Sequence, residues 1–278
     1  MRALEEDLGR GDLTTGCLFP KPVPAIAQIL SHQSAVIAGL PVAKEVFRRI
    51  DPRLRFEAAV RDGDRVSPGA PVARISGDGR SILKGERVAL NFIQRLSGIA
   101  TLTAAYVEAV RGTRTRILDT RKTTPGLRRL EKYAVRMGGG ENHRMSLGDG
   151  VLIKDNHLAL IGSVSEAVRR AQGRLPRRTR IEVEAARLTQ VDEALSLGAD
   201  AILLDNMPLP LIEEAVHRIG ARAQIEISGG VRLDNIRALA AAGADAISIG
   251  ALTHSAPAVD LSLDLQPART GRVKRGKV

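Results

Sequence analysis

The chain has 278 residues, of which 44% are hydrophobic and 26% charged, and it carries a formal net charge of +11. That length buries a substantial core and suits one large domain or two modest ones. No uncharged apolar run approaches the ~20 residues of a membrane helix. The acidic opening MRALEEDLGR is not a signal peptide. A lone Cys17 excludes an intrachain disulfide and favours a reducing, cytoplasmic setting. The basic excess leaves three partner classes: nucleic acid, an acidic surface, or anionic small substrates.

Residues 23–80 read as short strands and tight turns, with Asp-Gly and Pro-Gly signals at 61–66, 67–70 and 76–79 and an alternating strand at 71–75. Val42, Val46 and Ile50 recur at helical spacing over 41–50. A long helical pattern runs from Ile82 to Arg111, and Ser97-Gly98 is expected to break it into two helices. From 115 the rhythm changes. Strand-like runs at 115–120, 150–156, 180–185, 201–206, 224–229 and 246–250 alternate with helical patterns, several ending in Gly. Alternating β and α with aliphatic strands predicts a parallel sheet covered by helices. Six strands, and no GxGxxG after the first, favour a (β/α) barrel over a dinucleotide fold.

In such barrels the site lies at the C-terminal strand ends. Here those ends carry Asp119 to Lys122, Lys154 to His157, Glu182 and Glu184 on one face, Asp205 and Asn206, Glu226 and Ser228 to Gly230, then Gly250 and Ala251. Any one pair could be an ordinary barrel salt bridge. All six together call for a ligand, because buried charges must be paired or serve one. The stretch 119–157 adds Arg121, Lys122, His143, Arg144 and Lys154, a set suited to phosphates or carboxylates. Glu184 and Asp205 need cationic company, from Lys122, from Lys154 or from a metal. No His/Cys cluster has structural-zinc spacing, and His32, His217 and His254 read as structural or surface residues.

Long ordered motifs then resemble one family, quinolinate phosphoribosyltransferase: EDLGRGDLTT, ERVALNFIQRLSGIAT at 86–101, the whole of 119–157, IEVEA, ILLDN, SGG and GALTHS at 250–255. The resemblance covers residues 5 to about 265. It implies transfer of phosphoribosyl from phosphoribosyl pyrophosphate (PRPP) to quinolinate with decarboxylation, in NAD biosynthesis, with Mg2+. It implies that Thr120, Arg121, His143, Arg144 and Lys154 hold quinolinate, with Arg87 reaching in from the other subunit of a homodimer. It implies Lys122, Glu184 and Asp205 on the PRPP side, the two carboxylates also being candidate Mg2+ ligands. Ser228, Gly229, Gly230, Gly250, Ala251 and Leu252 resemble a 5′-phosphate cradle. The chain begins almost at the EDLG motif, without the N-terminal helix usual in the family.

The expected architecture is α/β: an N-terminal α+β domain with an antiparallel sheet over 1–100, joined by the segment after 262. A (β/α) barrel-like domain of about six strands over 101–262 follows, then a disordered basic tail at 266–278. Two rivals remain. A relative acting on another pyridine is disfavoured by the set for two carboxylates. A nucleic-acid-binding protein is disfavoured by 2% aromatics and the lack of a recognisable motif. No nucleic acid and no membrane are expected as partners.

Overall fold

The computed structural model describes residues 1–176 and 178–268. The chain forms two units, residues 1–101 with 257 onward, and residues 102–256.

The first unit opens with α1 (Arg2–Leu8) and α2 (Leu13–Leu18), the latter capped by Asp12 Oδ1 accepting from Thr15 N at 2.9 Å. There follow β1 (Pro24–Ser31), β2 (Ala35–Val36), α3 (Leu40–Ile50), β3 (Arg55–Ala58), β4 (Arg65–Val66), β5 (Pro71–Asp78) and α4 (Gly79–Ala109). Alternation along β1 buries Ala25, Ala27 and Ile29. They share an apolar core with Ala43, Val46 and Phe47 of α3 and Ile82, Leu90 and Ile93 of α4.

The expected break at Ser97-Gly98 does not occur: α4 runs unbroken for 31 residues. Ser97 is fully buried, its Oγ accepting from Ala38 N at 3.0 Å. Gly98 serves close approach, since a Cβ there would lie 2.0 Å from the carbonyl oxygen of Pro257. In an open helix Gly→Ala gains up to ~1 kcal/mol. Here Gly98→Ala instead lowers stability by about 1–3 kcal/mol, because the obstacle is backbone. A denaturant titration of the variant checks the sign.

The second unit takes over at residue 102, within α4. Its elements are β6 (Arg116–Leu118), α5 (Arg128–Met137), β7 (Val151–Ile153), α6 (Asp155–Ile161), α7 (Val164–Arg174), β8 (Ile181–Ala185), α8 (Leu188–Ser196), β9 (Ala201–Asp205), α9 (Leu209–Ile219), β10 (Gln224–Ser228), α10 (Ile236–Ala241), β11 (Ala246–Ser248) and α11 (Ala251–His254). The six strands pair in the order β6-β11-β10-β9-β8-β7, and every ladder is parallel. Among the described residues β6 and β7 do not pair with each other. Glu141 instead lies alongside β6, its N–H donating to Ile117 O at 2.8 Å and its carbonyl accepting from Asp119 N at 3.2 Å.

The chain then returns to the first unit as β12 (Leu261–Pro267), whose four-stranded antiparallel sheet has the order β12-β1-β5-β3. The return begins at Pro257, ahead of the expected 262, and Val259 N already donates to Gln94 O at 3.0 Å. The expected tail also starts too early. Gln266 and Pro267 are strand residues opposite Ile26 and Ala25, because β1 offers a full ladder to pair with. The compact basic run at 269–277 lies outside the described residues.

Candidate functional site

The C-terminal strand ends of the second unit surround a cavity of about 580 Å³. Thr120, Arg121 and Lys122 reach it from the end of β6, and His143 and Arg144 from the segment ahead of β7. Lys154 comes from the end of β7, Glu184 from β8, Asp205 from β9, and Ser228 to Gly230 from β10. Strand alternation explains the set: in β8, Glu184 lines the cavity and Glu182 shares its face, while Ile181 and Val183 lie on the other.

One side of the cavity is cationic. Arg121 Nε is buried with no hydrogen-bond partner. Arg144 donates from Nη1 to Gly150 O at 2.9 Å. Burial first, and then the neighbouring Arg121 charge, hold the Arg144 guanidinium below its ordinary value. Lys154 Nζ lies 3.3 Å from Glu184 Oε2, so one of the cations expected beside that carboxylate is in place. Two crowded guanidiniums, one with an orphaned donor, have the chemistry to pair with an anion.

The opposite side is built from turns. Asn206 is the one non-glycine residue with positive φ among the described residues (52°), and its N–H donates to Ser228 O at 2.9 Å. Gly229 has φ 86°, and a Cβ there would lie 2.2 Å from Asn206 Oδ1. Next to it lies a recess of about 260 Å³ lined by Lys122, Ser228 to Arg232, Gly250, Ala251 and His254. Its small residues leave backbone N–H groups open to a phosphate.

Of the residues that the resemblance assigns to substrates, Leu252 and Arg87 are not among those lining either cavity. Leu252 is fully buried, a core side chain of α11. Arg87 lies on α4 in the first unit, with its side chain 58% exposed and only a 3.9 Å approach to Glu86. His254, read as structural or surface, lines the recess. Its spacing of four from Gly250, on one short helix, was the available signal.

Three consecutive glycines, Gly138 to Gly140, divide their roles. Gly139 has φ 86°, whereas Gly138 is right-handed. A Cβ on Gly140 would meet Thr103 Cγ2 at 2.8 Å, so that glycine supplies space.

Three further residues support the site from behind. Lys132 and Asp119 are both fully buried and form an ion pair. Lys132 Nζ also donates to His143 O at 2.9 Å, and Asp119 accepts from Asn142 Nδ2 at 2.6 Å and His143 N at 2.9 Å. Glu131, fully buried, accepts from Thr124 N at 3.0 Å and Thr124 Oγ1 at 2.8 Å, fixing the loop after β6 to α5. His143 itself turns inward. Its Nε2 lies 3.3 Å from Glu182 Oε2 and 3.6 Å from Glu226 Oε2, and its Nδ1 accepts from Arg144 N at 2.8 Å.

Comparison with known proteins gives one answer across the chain. The family described as quinolinate phosphoribosyl transferase, N-terminal domain, matches residues 12–97, and the corresponding C-terminal domain matches 99–264. The chain is 44% identical over 272 residues to nicotinate-nucleotide pyrophosphorylase (carboxylating) of Mycobacterium leprae, covering 95% of each. It is 42% identical over 260 residues to a probable enzyme of the same name from Bacillus subtilis, covering 94% of this chain and 90% of that one. The crystal structure of NadC from Streptococcus pyogenes superimposes with a TM-score of 0.92 at 44% identity, covering 96% of this chain and 95% of that one.

Proposed function

The chain belongs to the quinolinate phosphoribosyltransferase family, and from that membership we propose how its barrel mouth performs phosphoribosyl transfer. It is a pentosyltransferase that converts quinolinate to nicotinate mononucleotide with loss of CO2 in NAD biosynthesis. PRPP is the sugar donor and pyrophosphate the leaving group. The observation that carries the assignment of sides is the orphaned, buried Nε of Arg121 beside Arg144 and Lys154, facing a turn-built recess across one cavity.

Arg121, Arg144 and Lys154 take the two ring carboxylates, each charge-assisted bond contributing roughly 1.5–3 kcal/mol. Thr120 lines the same wall, its Oγ1 holding the turn by accepting from Lys122 N at 3.0 Å. Both nitrogens of His143 are engaged inside the barrel, so it forms the floor of the quinolinate side rather than a grip. Lys122 lines both cavity and recess and reaches toward the diphosphate; Ser228 to Gly230, Gly250 and Ala251 cradle the 5′-phosphate.

Glu184 and Asp205, ending the neighbouring strands β8 and β9, offer the hard oxygens that fit Mg2+ together with substrate oxygens. Held by these two carboxylates, Mg2+ would supply positive charge to offset that of the departing pyrophosphate. The same carboxylates stabilise positive charge developing on the ribose carbon. Arg87, exposed and weakly paired, enters the mouth of a second copy in a homodimer. The lone exposed Cys17 suits a cytoplasmic enzyme. No helix among the described residues is long and apolar enough to cross a membrane.

Incubation with quinolinate, PRPP and Mg2+ should release nicotinate mononucleotide, CO2 and pyrophosphate in equal amounts, and a chelator should stop it. Turnover of nicotinate with none of quinolinate would sink the substrate assignment.

A further inference from the structure

Two cavities meet inside the barrel. The mouth is one. The other, about 250 Å³, extends from the N-terminal strand ends, where Arg116, Glu141, Arg180 and Gln224 line it. His143, Arg144 and Glu226 line both. Glu226 sits mid-strand on β10 and is only 5% exposed. In register with it are Leu203 of β9 and Ala246 of β11, neither of them polar. The groups that act on its carboxyl are Glu182 of β8, His143 and the Ser248 hydroxyl of β11. Of the nearby cations, Lys132 is paired with Asp119, and the Arg144 guanidinium acts on Glu182. Glu226 Oε1 has no hydrogen-bond partner, nor has Oε1 of Glu182. Burial first, and then the charge of Glu182, push the Glu226 carboxyl up to about 7.

A His–Glu–Glu cluster of this size could also hold a metal ion. The imidazole argues otherwise. Nδ1 accepts the Arg144 N–H, so the ring hydrogen sits on Nε2 and points at Glu182, leaving no lone pair there for a metal.

We propose that Glu226 is the acid that protonates the pyridine carbon left bare by departing CO2, and that the inner cavity is the route by which solvent restores its proton. This rests on the decarboxylating transfer at the mouth described above. In the step, the bond from ring carbon 2 to its carboxylate breaks, and the electron pair stays on carbon as CO2 leaves. A C–H bond forms with the Glu226 proton. The resulting carboxylate faces the His143 N–H until water in the inner cavity reprotonates it. The mouth is filled by the substrates themselves at this moment, so the acid must come from the barrel floor. Glu226 is the floor carboxyl that lines both cavities.

Glu226→Gln keeps the shape and removes the proton. It should lower kcat about 100-fold, the scale of general acid catalysis, while KM for quinolinate holds. In the unaltered enzyme, single-turnover product formation should slow as pH rises through about 7, since the acid form is present below that value and lost above it. It should also show a solvent deuterium isotope effect, and both signatures should vanish in Glu226→Gln. Normal kcat in the variant, or a raised KM with kcat unchanged, overturns the proposal. If the variant does not fold, the unaltered enzyme decides: a flat pH profile with no isotope effect overturns it, and the slope with the isotope effect supports it. Absence of any product from the unaltered enzyme would instead defeat the substrate assignment, and this inference with it.

Discussion

Lys132→Met should cost about 3–5 kcal/mol of stability, the scale for removing one partner of a buried ion pair. Both side chains of the Lys132–Asp119 pair are fully buried, so the stranded Asp119 carboxylate has no solvent to turn to. Burial already pushes the Asp119 carboxyl upward, with Lys132 the first influence pulling it back. The variant also loses the Lys132 Nζ bond to His143 O, one of the ties on the segment that carries His143 and Arg144 to the mouth. Stability and activity should therefore fall together. Denaturant unfolding and the nicotinate mononucleotide assay check the two readouts. A stable, fully active variant would show that the pair is dispensable.

Arg121→Ala and Lys154→Ala should do the opposite: abolish most activity and leave the fold. Each loses a charge-assisted contact worth roughly 1.5–3 kcal/mol, on the order of 10- to 100-fold in kcat/KM per contact. Arg121→Ala also removes the one orphaned donor of the cationic wall, so it carries little stability cost. Lys154→Ala leaves Glu184 without its 3.3 Å partner, and should impair the sugar-phosphate side as well as quinolinate binding. Steady-state kinetics with each substrate varied, beside circular dichroism, separates the two. Near-normal turnover in either variant would remove that residue from the site.

Much of this was legible in the sequence because it is local. Aliphatic runs ending in polar residues marked six strands, and a spacing of two put Glu182 and Glu184 on one face. The misses are long-range. Ser97-Gly98 looks like a helix break until Pro257 arrives from the far end of the chain to occupy the space beside Gly98. Lys132 lies in a helix rich in charged residues, and nothing in its spacing marks it as buried against Asp119. Leu252 carries the motif but points into the core. The sharing of Glu226 between two cavities depends on a three-dimensional axis that no spacing encodes.

The ladder between β1 and β12 has a consequence for synthesis. β1 lies between β5 and β12, and its outer partner is residues 261–267. A growing chain therefore makes β1 early and leaves one of its edges bare while all of 102–256 emerges. Domains generally fold N-terminal first, but here the barrel can complete itself before the unit that precedes it. Until β12 leaves the ribosome, the exposed edge of β1 is a template for other chains. Fusions or truncations that delay or delete 261–267 should then aggregate through the first unit while the barrel remains folded.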